Sequence, residues 1–400
     1  MNYKKRHLET HLAELIKSFP ALWLSGPRQS GKTTLIQKTF PDYQYVSLED
    51  LDQRHFAIED PRGFLRQYPK KVILDEIQKA PQLLSYLQTH IDKNYENGQF
   101  ILTSSHQFQM AQNISQSLAG RVAIVYLHPF SLSELFECPP SKIDDIQSCE
   151  SNFLPSSVTL EKTLYRGLFP AVHDRKSHPT TWYSSYYATY LERDVREITN
   201  IQNLQTFDTF VRLCAARSGY TINFSELSNS CGMSVPALKS WVSILELSGI
   251  IKMVYPYFKN YSKRLIKTPK LYFLDSGLLC YLLRIADPEQ LIFHPLKGNI
   301  FESFIVSELI KSFCHRGLEA PIYYWRDNKG REIDIIIDLG HTQWPVEIKL
   351  SETIHSSFFN VITWWLDLPA NPATKGTVIY GGETDQARRP INIRSWRRMF

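Results

Sequence analysis

Residues 26–33 read GPRQSGKT, from Gly26 to Thr33, and they directly follow the apolar run 21–24, ALWL. The stretch fits the phosphate-loop pattern G-x-x-x-x-G-K-[ST] at every fixed position. Its glycines let the backbone curl so that consecutive N–H groups point at phosphate oxygens. Lys32 would neutralise the β/γ charge, and the Thr33 hydroxyl would ligate Mg²⁺. The stretch therefore predicts a site for a nucleoside triphosphate.

The predicted nucleotide contacts continue past this loop. Residues 34–40 are expected to form the helix whose amino end faces the phosphates, and Pro41 ends it. Ser104 follows the apolar run 99–103 and is predicted to lie at the same sheet edge, beside the γ-phosphate. An ordinary serine-rich turn is the alternative. The residues predicted to bind the nucleotide are Gly26, Pro27, Arg28, Gln29, Ser30, Gly31, Lys32, Thr33, Thr34 and Ser104.

Two acids end the apolar run 72–74 and predict the hydrolytic part of the site. Asp75 stands where a phosphate-loop fold needs the carboxylate that orients Mg²⁺. Glu76 follows and is placed to polarise the attacking water. The plainer interpretation is a buried strand that runs into a solvated acidic turn. Arg121 is a candidate for stabilising charge on the nucleotide, in cis or on a neighbouring subunit, or else a salt-bridged surface arginine.

Strands and helices alternate from residue 20 to about 130, and this order predicts a parallel α/β sheet. Guanine recognition usually shows an Asn-Lys-x-Asp element, whereas Asn328-Lys329 is followed by Gly330-Arg331. Adenine is therefore the better prediction, and ATP and Mg²⁺ are the expected cofactors.

Several short segments resemble an AAA-type ATPase family of bacteria and archaea whose members carry an uncharacterised C-terminal region. The resemblance covers nearly the whole chain and implies ATP as the nucleotide. It also implies a homo-oligomer, either a ring or a dimer. The segments that carry it are Phe19-Pro20, Gly26–Thr33, Leu74–Pro81, Leu102–Ser105, Leu118–Arg121 and Tyr190–Val195.

The composition limits the class of protein. A chain of 400 residues with 43% hydrophobic and 21% charged residues is expected to fold into two or three domains. No apolar run approaches the roughly 18 residues of a membrane-spanning helix, and the charged start lacks the apolar centre of a signal peptide. A cytoplasmic location without a membrane partner is therefore expected. The six cysteines show no C-x-x-C spacing, which predicts reduced thiols.

Residues 224–248 predict a helix-turn-helix in the middle of the chain. Two helical patterns are joined by a tight glycine-containing turn, and Ser234 is placed to cap the second helix. Strand-like runs at 251–257 and 270–274 would form a wing. Its basic and aromatic link, 259–264, favours contact with a DNA backbone. A protein-interaction module is the alternative, because the second helix is poor in base-reading side chains.

The last third contains acids and a lysine in the order Glu, Asp, Glu-x-Lys. Asp334 is predicted to lie on one face of a strand whose other face carries Ile333, Ile335 and Ile337. Glu347 and Lys349 are predicted to share a face of the next strand. The plainer interpretation is a half-exposed hairpin whose polar face happens to carry these charges.

With Glu302 on the preceding helix, this order resembles the PD-(D/E)xK nuclease superfamily. The resemblance implies that Asp334 and Glu347 hold Mg²⁺ against a scissile phosphate, that Glu302 completes the metal site, and that Lys349 orients a water or stabilises charge. The scaffold is alternatively kept for binding alone. The segment 394–398, with arginines beside Trp396, is predicted to follow a nucleic-acid backbone.

The sequence thus predicts an α/β protein: a parallel-sheet P-loop ATPase core, a helical and winged-helix region, and an α/β restriction-endonuclease-like domain. The leading hypothesis is an ATPase that positions a DNA-handling module. The rival is a non-hydrolytic switch whose later domains only bind nucleic acid or a protein. A defence-linked regulator is a third class that no residue discriminates. The predicted boundaries are 1–137 for the ATPase core, 138–205 for a connection and helical lid, 206–292 for the winged helix and 293–400 for the nuclease-like domain.

Overall fold

Three β-sheets follow one another along the chain. The structure is a computed structural model that describes residues 3–105, 117–140, 154–155, 157–174, 178–190, 204–258, 268–369 and 371–398. The first sheet has the order β2-β3-β4-β1-β5, and all of its pairings are parallel, which confirms the predicted parallel core. Its strands are β1 (Ala21–Ser25), β2 (Gln44–Ser47), β3 (Val72–Asp75), β4 (Phe100–Ser104) and β5 (Val122–Tyr126).

Helices pack on both faces of this sheet, and two buried apolar clusters form the contacts between these helices and the sheet. Leu83, Leu84, Leu87 and Ile91 form the buried face of one helix, at the spacing of an amphipathic helix. The helices of this region are α1 (Leu8–Leu15), α2 (Lys32–Thr39), α3 (Leu51–Glu59), α4 (Pro61–Gln67), α5 (Leu83–Lys93) and α6 (Leu132–Leu135).

The middle region contains the two predicted helices and both predicted strands. Gly232 ends the first helix with φ +63°, and the Ser234 hydroxyl accepts a hydrogen bond from the Ala237 N–H at the start of the second. The predicted segments 191–195 and 259–264 lie outside the described residues. The elements are α7 (Leu160–Arg166), α8 (Pro170–Asp174), α9 (Pro179–Thr189), α10 (Leu204–Ala216), α11 (Phe224–Cys231), α12 (Val235–Leu247), β6 (Ile251–Val254), β7 (Lys270–Phe273), α13 (Ser276–Leu282) and α14 (Pro288–Ile292).

The C-terminal region forms a mixed six-stranded sheet with the order β12-β13-β11-β10-β9-β8. Strand β9 pairs antiparallel with both β8 and β10, β11 pairs parallel with both β10 and β13, and β12 pairs antiparallel with β13. The elements are α15 (Lys297–Cys314), β8 (Ile322–Arg326), β9 (Glu332–Asp338), β10 (Gln343–Lys349), α16 (Asn360–Leu366), β11 (Gly376–Tyr380), β12 (Gln386–Arg388) and β13 (Ile391–Ser395).

The predicted common face of Ile333, Ile335 and Ile337 is wrong for Ile333. The pairing of β9 with β8 has a register irregularity at this point. Ile333 packs beside Ile336 and Trp365, whereas Ile335 and Ile337 belong to a different buried cluster. An extra residue in a strand moves the following side chains to the other face, which a strict alternation cannot anticipate.

One continuous apolar core joins the middle and C-terminal regions. It runs from Phe130 through Phe207 and Phe273 to Phe301 and Trp396. The residues on the two sides of the predicted domain boundary near residue 292 therefore share one apolar core. No helix among the described residues has both the length and the apolarity required to cross a membrane.

Candidate nucleotide site and C-terminal acidic site

The phosphate loop lies between β1 and α2 and closes against the chain that leaves β5. A Cβ atom on Gly26 would lie 2.3 Å from the Leu127 carbonyl oxygen, so only glycine fits. Gly31 takes φ +95° directly before α2 begins. The buried Lys32 ammonium donates to the carbonyl oxygens of Gly26 at 2.8 Å and Pro27 at 3.0 Å. The lysine is thereby held across the loop, facing the position of the phosphates.

Several hydroxyl groups contact the Asp75 carboxylate at the carboxyl edge of the sheet. The Thr33 hydroxyl lies 3.2 and 3.1 Å from its two oxygens, and the Tyr45 hydroxyl donates to it at 2.7 Å. Thr103 on β4 also donates to Asp75. A hydroxyl and a carboxylate side by side are oxygen ligands of the kind Mg²⁺ takes beside a nucleotide. The predicted pair Thr33 and Asp75 therefore fits a magnesium ion.

Glu76 follows Asp75 but has a different backbone conformation, with φ +57° and ψ +49°. Its carboxylate accepts hydrogen bonds from Gln78 and from the Ser105 hydroxyl at 2.9 Å. Burial opposes its ionisation, but the charge of Lys32 and these hydrogen bonds hold the pKa of Glu76 below its usual range. Glu76 is thus an ionised carboxylate at the phosphate loop, as a base for water activation must be.

The strand end after β4 contacts the two acids through Thr103 and Ser105. Thr103 contacts Asp75 and accepts the Glu76 N–H at 3.1 Å, and Ser105 contacts the Glu76 side chain. Ser104 is buried between them. The role of Ser104 beside the γ-phosphate stays a prediction.

A cavity of about 570 Å³ lies over the loop. One wall is formed by the predicted residues, Glu49 and Glu76. The opposite wall comes from α8 and α9 of the middle region. The cavity-lining residues are Arg28, Gln29, Gly31, Lys32, Thr33, Thr34, Glu49, Glu76, Pro170, Ala171, Asp174, Tyr186 and Thr189. The middle region is therefore part of the site.

Arg121 lies at the opposite edge of the sheet from the phosphate loop. The Arg121 carbonyl accepts the Ala21 N–H at the start of β1, whereas the loop follows the end of that strand. Five residues of strand span about 16 Å. The Arg121 guanidinium pairs with both oxygens of Asp92, at 2.5 and 3.0 Å. This placement gives Arg121 no contact with a nucleotide in cis.

The second group of predicted residues does come together, on the C-terminal sheet. The Lys349 ammonium lies 2.5 Å from Glu347 and 3.3 Å from Asp334. The Ile348 N–H donates to Asp334 at 2.8 Å. Burial favours the neutral form of Asp334, but Lys349 and Lys270 hold its pKa below its usual range. Burial and then the charge of Asp334 raise the pKa of Glu347 well above its usual range.

Glu302 reaches the same group from α15, with two partners that the sequence did not suggest. The Tyr272 hydroxyl donates to it at 2.6 Å, and the buried Lys270 ammonium lies 3.4 Å away. Lys270 also lies 2.5 Å from Glu332. Burial and the charge of Asp334 raise the pKa of Glu302 to about 7 against the opposing charge of Lys270. Both partners belong to β7, far from Glu302 in sequence.

Glu347 is the residue that most favours a metal ion at this second site. Its Oε1 atom is buried and has no hydrogen-bond partner. Two acids that face one another in a buried site need a shared proton or a cation. Among the described residues, however, the three side chains whose ligand atoms lie within 4.8 Å of one another are His7, Glu134 and His315. Asp334, Glu347 and Glu302 would have to draw closer, and Lys349 to shift, around an ion.

Two of the three arginines of the predicted nucleic-acid edge, Arg394 and Arg397, are buried, whereas Arg398 is half-buried. Arg394 is fully buried and lies 3.1 Å from Asp385, and Arg397 is 5% exposed and lies 3.4 Å from Glu383. Trp396 is buried in the shared core. Arg394 and Arg397 therefore pair with acids of the same region and expose little or none of their own side chains.

Three family models match consecutive parts of the chain. Residues 18–136 match an AAA domain. Residues 157–289 and 297–396 each match a domain of unknown function, DUF8612 and DUF4143. Residues 18–136 are therefore similar to an AAA domain, and the two regions that follow match models without an assigned function.

Curated relatives are similar over most of the chain. Uncharacterized proteins of Mycobacterium tuberculosis (Rv2008c) and Mycobacterium bovis (Mb2031c) are each 27% identical over 357 residues, 88% of this chain and 75% of the relative. Among solved structures, the Walker-type ATPase PabY2304 of Pyrococcus abyssi is 15% identical and covers 69% of this chain and 94% of its own, with a TM-score of 0.43. AMPPCP-bound DnaA from Aquifex aeolicus is 14% identical, with a TM-score of 0.27 over 60% of this chain and 85% of its own.

Proposed function

We propose that the protein binds and hydrolyses ATP at the phosphate loop with Mg²⁺. The observation that carries the proposal is the grouping of Lys32, Thr33 and Glu76 around one cavity, with Asp75 hydrogen-bonded to Thr33. Each part of phosphoryl transfer to water then has a residue beside it. The AAA-domain match over residues 18–136 supports the same conclusion.

The position of each residue in the site determines its proposed role. The backbone N–H groups of the loop and the Lys32 ammonium bind the β- and γ-phosphates. Thr33 and Asp75 would hold the magnesium ion, which supplies charge neutralisation on the phosphates when bound. Glu76 accepts a proton from the attacking water, and Ser105 and Gln78 orient its carboxylate.

The experiment is to compare wild type with Lys32→Ala in MgATP binding by calorimetry and in phosphate release. Lys70→Ala is a matched control, because Lys70 is exposed and pairs with the exposed Glu96. We expect Lys32→Ala to lose both signals and Lys70→Ala to keep them. Equal turnover in wild type and Lys32→Ala would reject the site. Binding without turnover in the wild type would favour the rival function, an ATP-dependent switch.

A second candidate activity is metal-dependent cleavage of a nucleic-acid phosphodiester at Asp334, Glu347 and Lys349. Two observations favour it: the buried, unpartnered Oε1 atom of Glu347, and the element order α15-β8-β9-β10-α16-β11 around a mixed sheet. The order supports the predicted restriction-endonuclease-like fold. The arrangement of α10, α11, α12, β6 and β7 likewise supports a winged helix. Asp334 and Glu347 would hold the ion while Lys349 stabilises developing charge.

This activity is tested by incubating wild type and Asp334→Ala with plasmid and linear DNA in Mg²⁺ or Mn²⁺. Asp338→Ala is a control, since Asp338 lies at the far end of the same strand. We expect cleavage by wild type and Asp338→Ala only. Intact DNA in every reaction would favour the binding-only alternative, in which ATP controls attachment to DNA or a protein. ATP turnover measured with and without DNA would show whether the two sites are coupled.

We further propose that Arg121 acts in trans in a homo-oligomer. The support is its position at the sheet edge remote from its own phosphate loop, with the guanidinium at the surface. Arg121→Ala should lower ATP turnover at least about tenfold, by analogy with other arginines that act across an interface. Specific activity of the wild type should also rise with protein concentration. Unchanged turnover in Arg121→Ala would leave Arg121 as a surface ion pair.

A further inference from the structure

Arg6 is a buried arginine that contacts the phosphate loop from outside the region matched as an AAA domain. Its side chain is 3% exposed. One terminal nitrogen donates to the Ser30 carbonyl at 2.9 Å, and the other donates to the His128 carbonyl at 2.7 Å. The guanidinium also lies over the Phe130 ring, 4.8 Å from its centre. Arg6 thus ties the last turn of the phosphate loop to the segment that follows β5.

Glu134 supplies the charge that keeps Arg6 in place. Its Oε1 atom lies 3.1 Å from the Arg6 Nε atom and accepts the His7 N–H at 2.8 Å. Its Oε2 atom accepts the Ser131 N–H at 3.0 Å. Burial opposes ionisation of Glu134, but Arg6 and then His315 lower its pKa to about 2. The Glu134 carboxylate is therefore ionised at neutral pH beside the Arg6 guanidinium.

The segment 130–134 is in turn fixed by α15. The Leu132 N–H donates to Glu308 at 2.8 Å, and the Lys311 ammonium donates to the Phe130 carbonyl at 2.9 Å. Lys311 and Glu308 also pair with each other at 2.7 Å. All of these groups are buried. The support for Arg6 therefore comes from the C-terminal region of the chain.

We propose that Arg6 is a positioning residue of the phosphate loop, held in place by Glu134 and by the segment that α15 supports. By holding the Ser30 carbonyl, Arg6 fixes the peptide whose N–H belongs to Gly31, at the start of the turn that binds phosphate. A planar guanidinium can bond two carbonyls and a carboxylate at once, which an ammonium cannot do as well. The proposal rests on the proposed ATP binding at this loop.

The test measures MgATP affinity and turnover separately in Arg6→Met and Arg6→Lys. Loss of a charged hydrogen bond costs about 1.5–3 kcal/mol, so Arg6→Met should raise Kd about tenfold to a hundredfold. Turnover at saturating MgATP should change less than about threefold, because the loop holds substrate and transition state alike. Arg6→Lys should fall between wild type and Arg6→Met.

The matched control is Arg212→Met. Arg212 also pairs with a carboxylate, Asp208, and donates to a carbonyl, that of Leu282, but it lies on α10. This variant should lose stability and keep the wild-type Kd.

Three outcomes would overturn the proposal. The first is Arg6→Met that folds and binds MgATP with the wild-type Kd. The second is a reduced number of binding sites with an unchanged Kd in the remaining protein, which is the result of a merely structural role. If Arg6→Met does not fold, Arg6→Lys and Glu134→Gln carry the same test. Wild type that fails to bind MgATP is the third outcome, and it identifies the ATP proposal itself as the error.

Discussion

Asp75 and Glu76 are adjacent acids with different surroundings. Asp75 ends an extended strand, and its carboxylate accepts hydrogen bonds from the hydroxyl groups of Thr33, Tyr45 and Thr103. Glu76 adopts a left-handed backbone conformation, which costs a residue with a Cβ atom about 1–2 kcal/mol. This turn brings its carboxylate to the cavity beside Lys32 and Ser105. In the proposed function, this one backbone rotation separates the acid that would orient the metal ion from the carboxylate that would orient water.

Glu76→Gln should bind MgATP and fail to hydrolyse it. The amide cannot accept a proton from water, so we expect turnover to fall about 10²–10⁴-fold. The Kd for MgATP should stay within about threefold of wild type, since Glu76 does not carry the phosphates. Phosphate release and calorimetry measure the two quantities. Glu49→Gln is the control, because Glu49 lines the same cavity and is exposed. Turnover retained in Glu76→Gln would exclude Glu76 as the base.

Gly26→Ala should disrupt the phosphate loop. Its Cβ would collide with the Leu127 carbonyl oxygen at 2.3 Å, and its φ of +153° is one that side chains rarely adopt. We expect MgATP affinity to fall by more than about tenfold, the equivalent of 1.4 kcal/mol. Gly298→Ala is the control: nothing lies within 4 Å of its Cβ position, and it lies in a helix. That change should preserve affinity and raise stability by up to about 1 kcal/mol. Equal MgATP affinities of wild type and Gly26→Ala would contradict the close approach of Gly26 to the Leu127 carbonyl oxygen.

Helix α15 is the element that touches both candidate sites. Glu302 near its start contacts Lys270 and Tyr272 of the acidic site. Glu308 and Lys311 near its end hold the segment beside the phosphate loop. Nine residues of helix separate Glu302 from Lys311, about 14 Å at 1.5 Å per residue. We therefore expect a change at one end of this helix to affect the residues that its other end contacts.

Lys311→Met should destabilise the protein and weaken MgATP binding together. The change leaves Glu308 buried without its ammonium partner, which costs about 3–5 kcal/mol. Thermal unfolding and calorimetry measure the two effects. Lys297→Met on the same helix is the control, since Lys297 pairs with Glu161 near the surface and should cost less than about 1 kcal/mol. Adding Glu308→Gln to Lys311→Met should recover part of the stability. A lower free energy of unfolding with an unchanged Kd for MgATP would show that α15 does not support the phosphate loop.

At the scale of the whole molecule, the nucleotide cavity is formed between regions. Its far wall comes from α8 and α9. A Cβ on Gly249, after α12, would lie 3.6 Å from Pro27 of the phosphate loop. The cluster of Arg6, Glu134 and His315 joins the same parts of the chain from another side. Stability of this junction and occupancy of the cavity should therefore depend on one another.

Stability should decrease as the pH falls from about 6.5 to about 4. Burial is the main cause that lowers the pKa of His315 to about 4, and Arg6, His7 and Lys311 add to it against Glu134. In this window the unfolded chain binds a proton that the folded chain does not, so acid favours unfolding. Burial also lowers the pKa of His128, with the same sign.

His315→Gln should reduce this pH dependence. The lost contribution is at most about 3 kcal/mol, from 1.36 kcal/mol for each unit of pKa difference. Thermal unfolding midpoints of wild type and variant between pH 7 and pH 4.5 provide the measurement. His341→Gln, in a surface turn, is the control. Parallel curves for wild type and His315→Gln would mean that His315 is already protonated in the fold.

The sequence by itself determined the parts whose chemistry is local. A phosphate loop needs its glycines, lysine and threonine in a fixed order, and an apolar strand before two acids places Asp75 and Glu76 at the sheet edge. The order of Asp334, Glu347 and Lys349 on two paired strands was similarly readable, because alternation fixes which side chains share a face. Their mutual contacts followed as predicted.

Only the tertiary structure decided which distant residues serve these sites. Arg6 reaches His128 across 122 positions, and Lys270 reaches Glu302 across 32. The same packing buried Arg394, placed Arg121 at the far sheet edge and turned Ile333 to the other face of its strand. Local patterns specify a side chain's chemistry and its strand or helix, whereas burial and long-range pairing depend on how whole elements pack. That packing is set by apolar surface shared between regions, which no single segment of sequence contains.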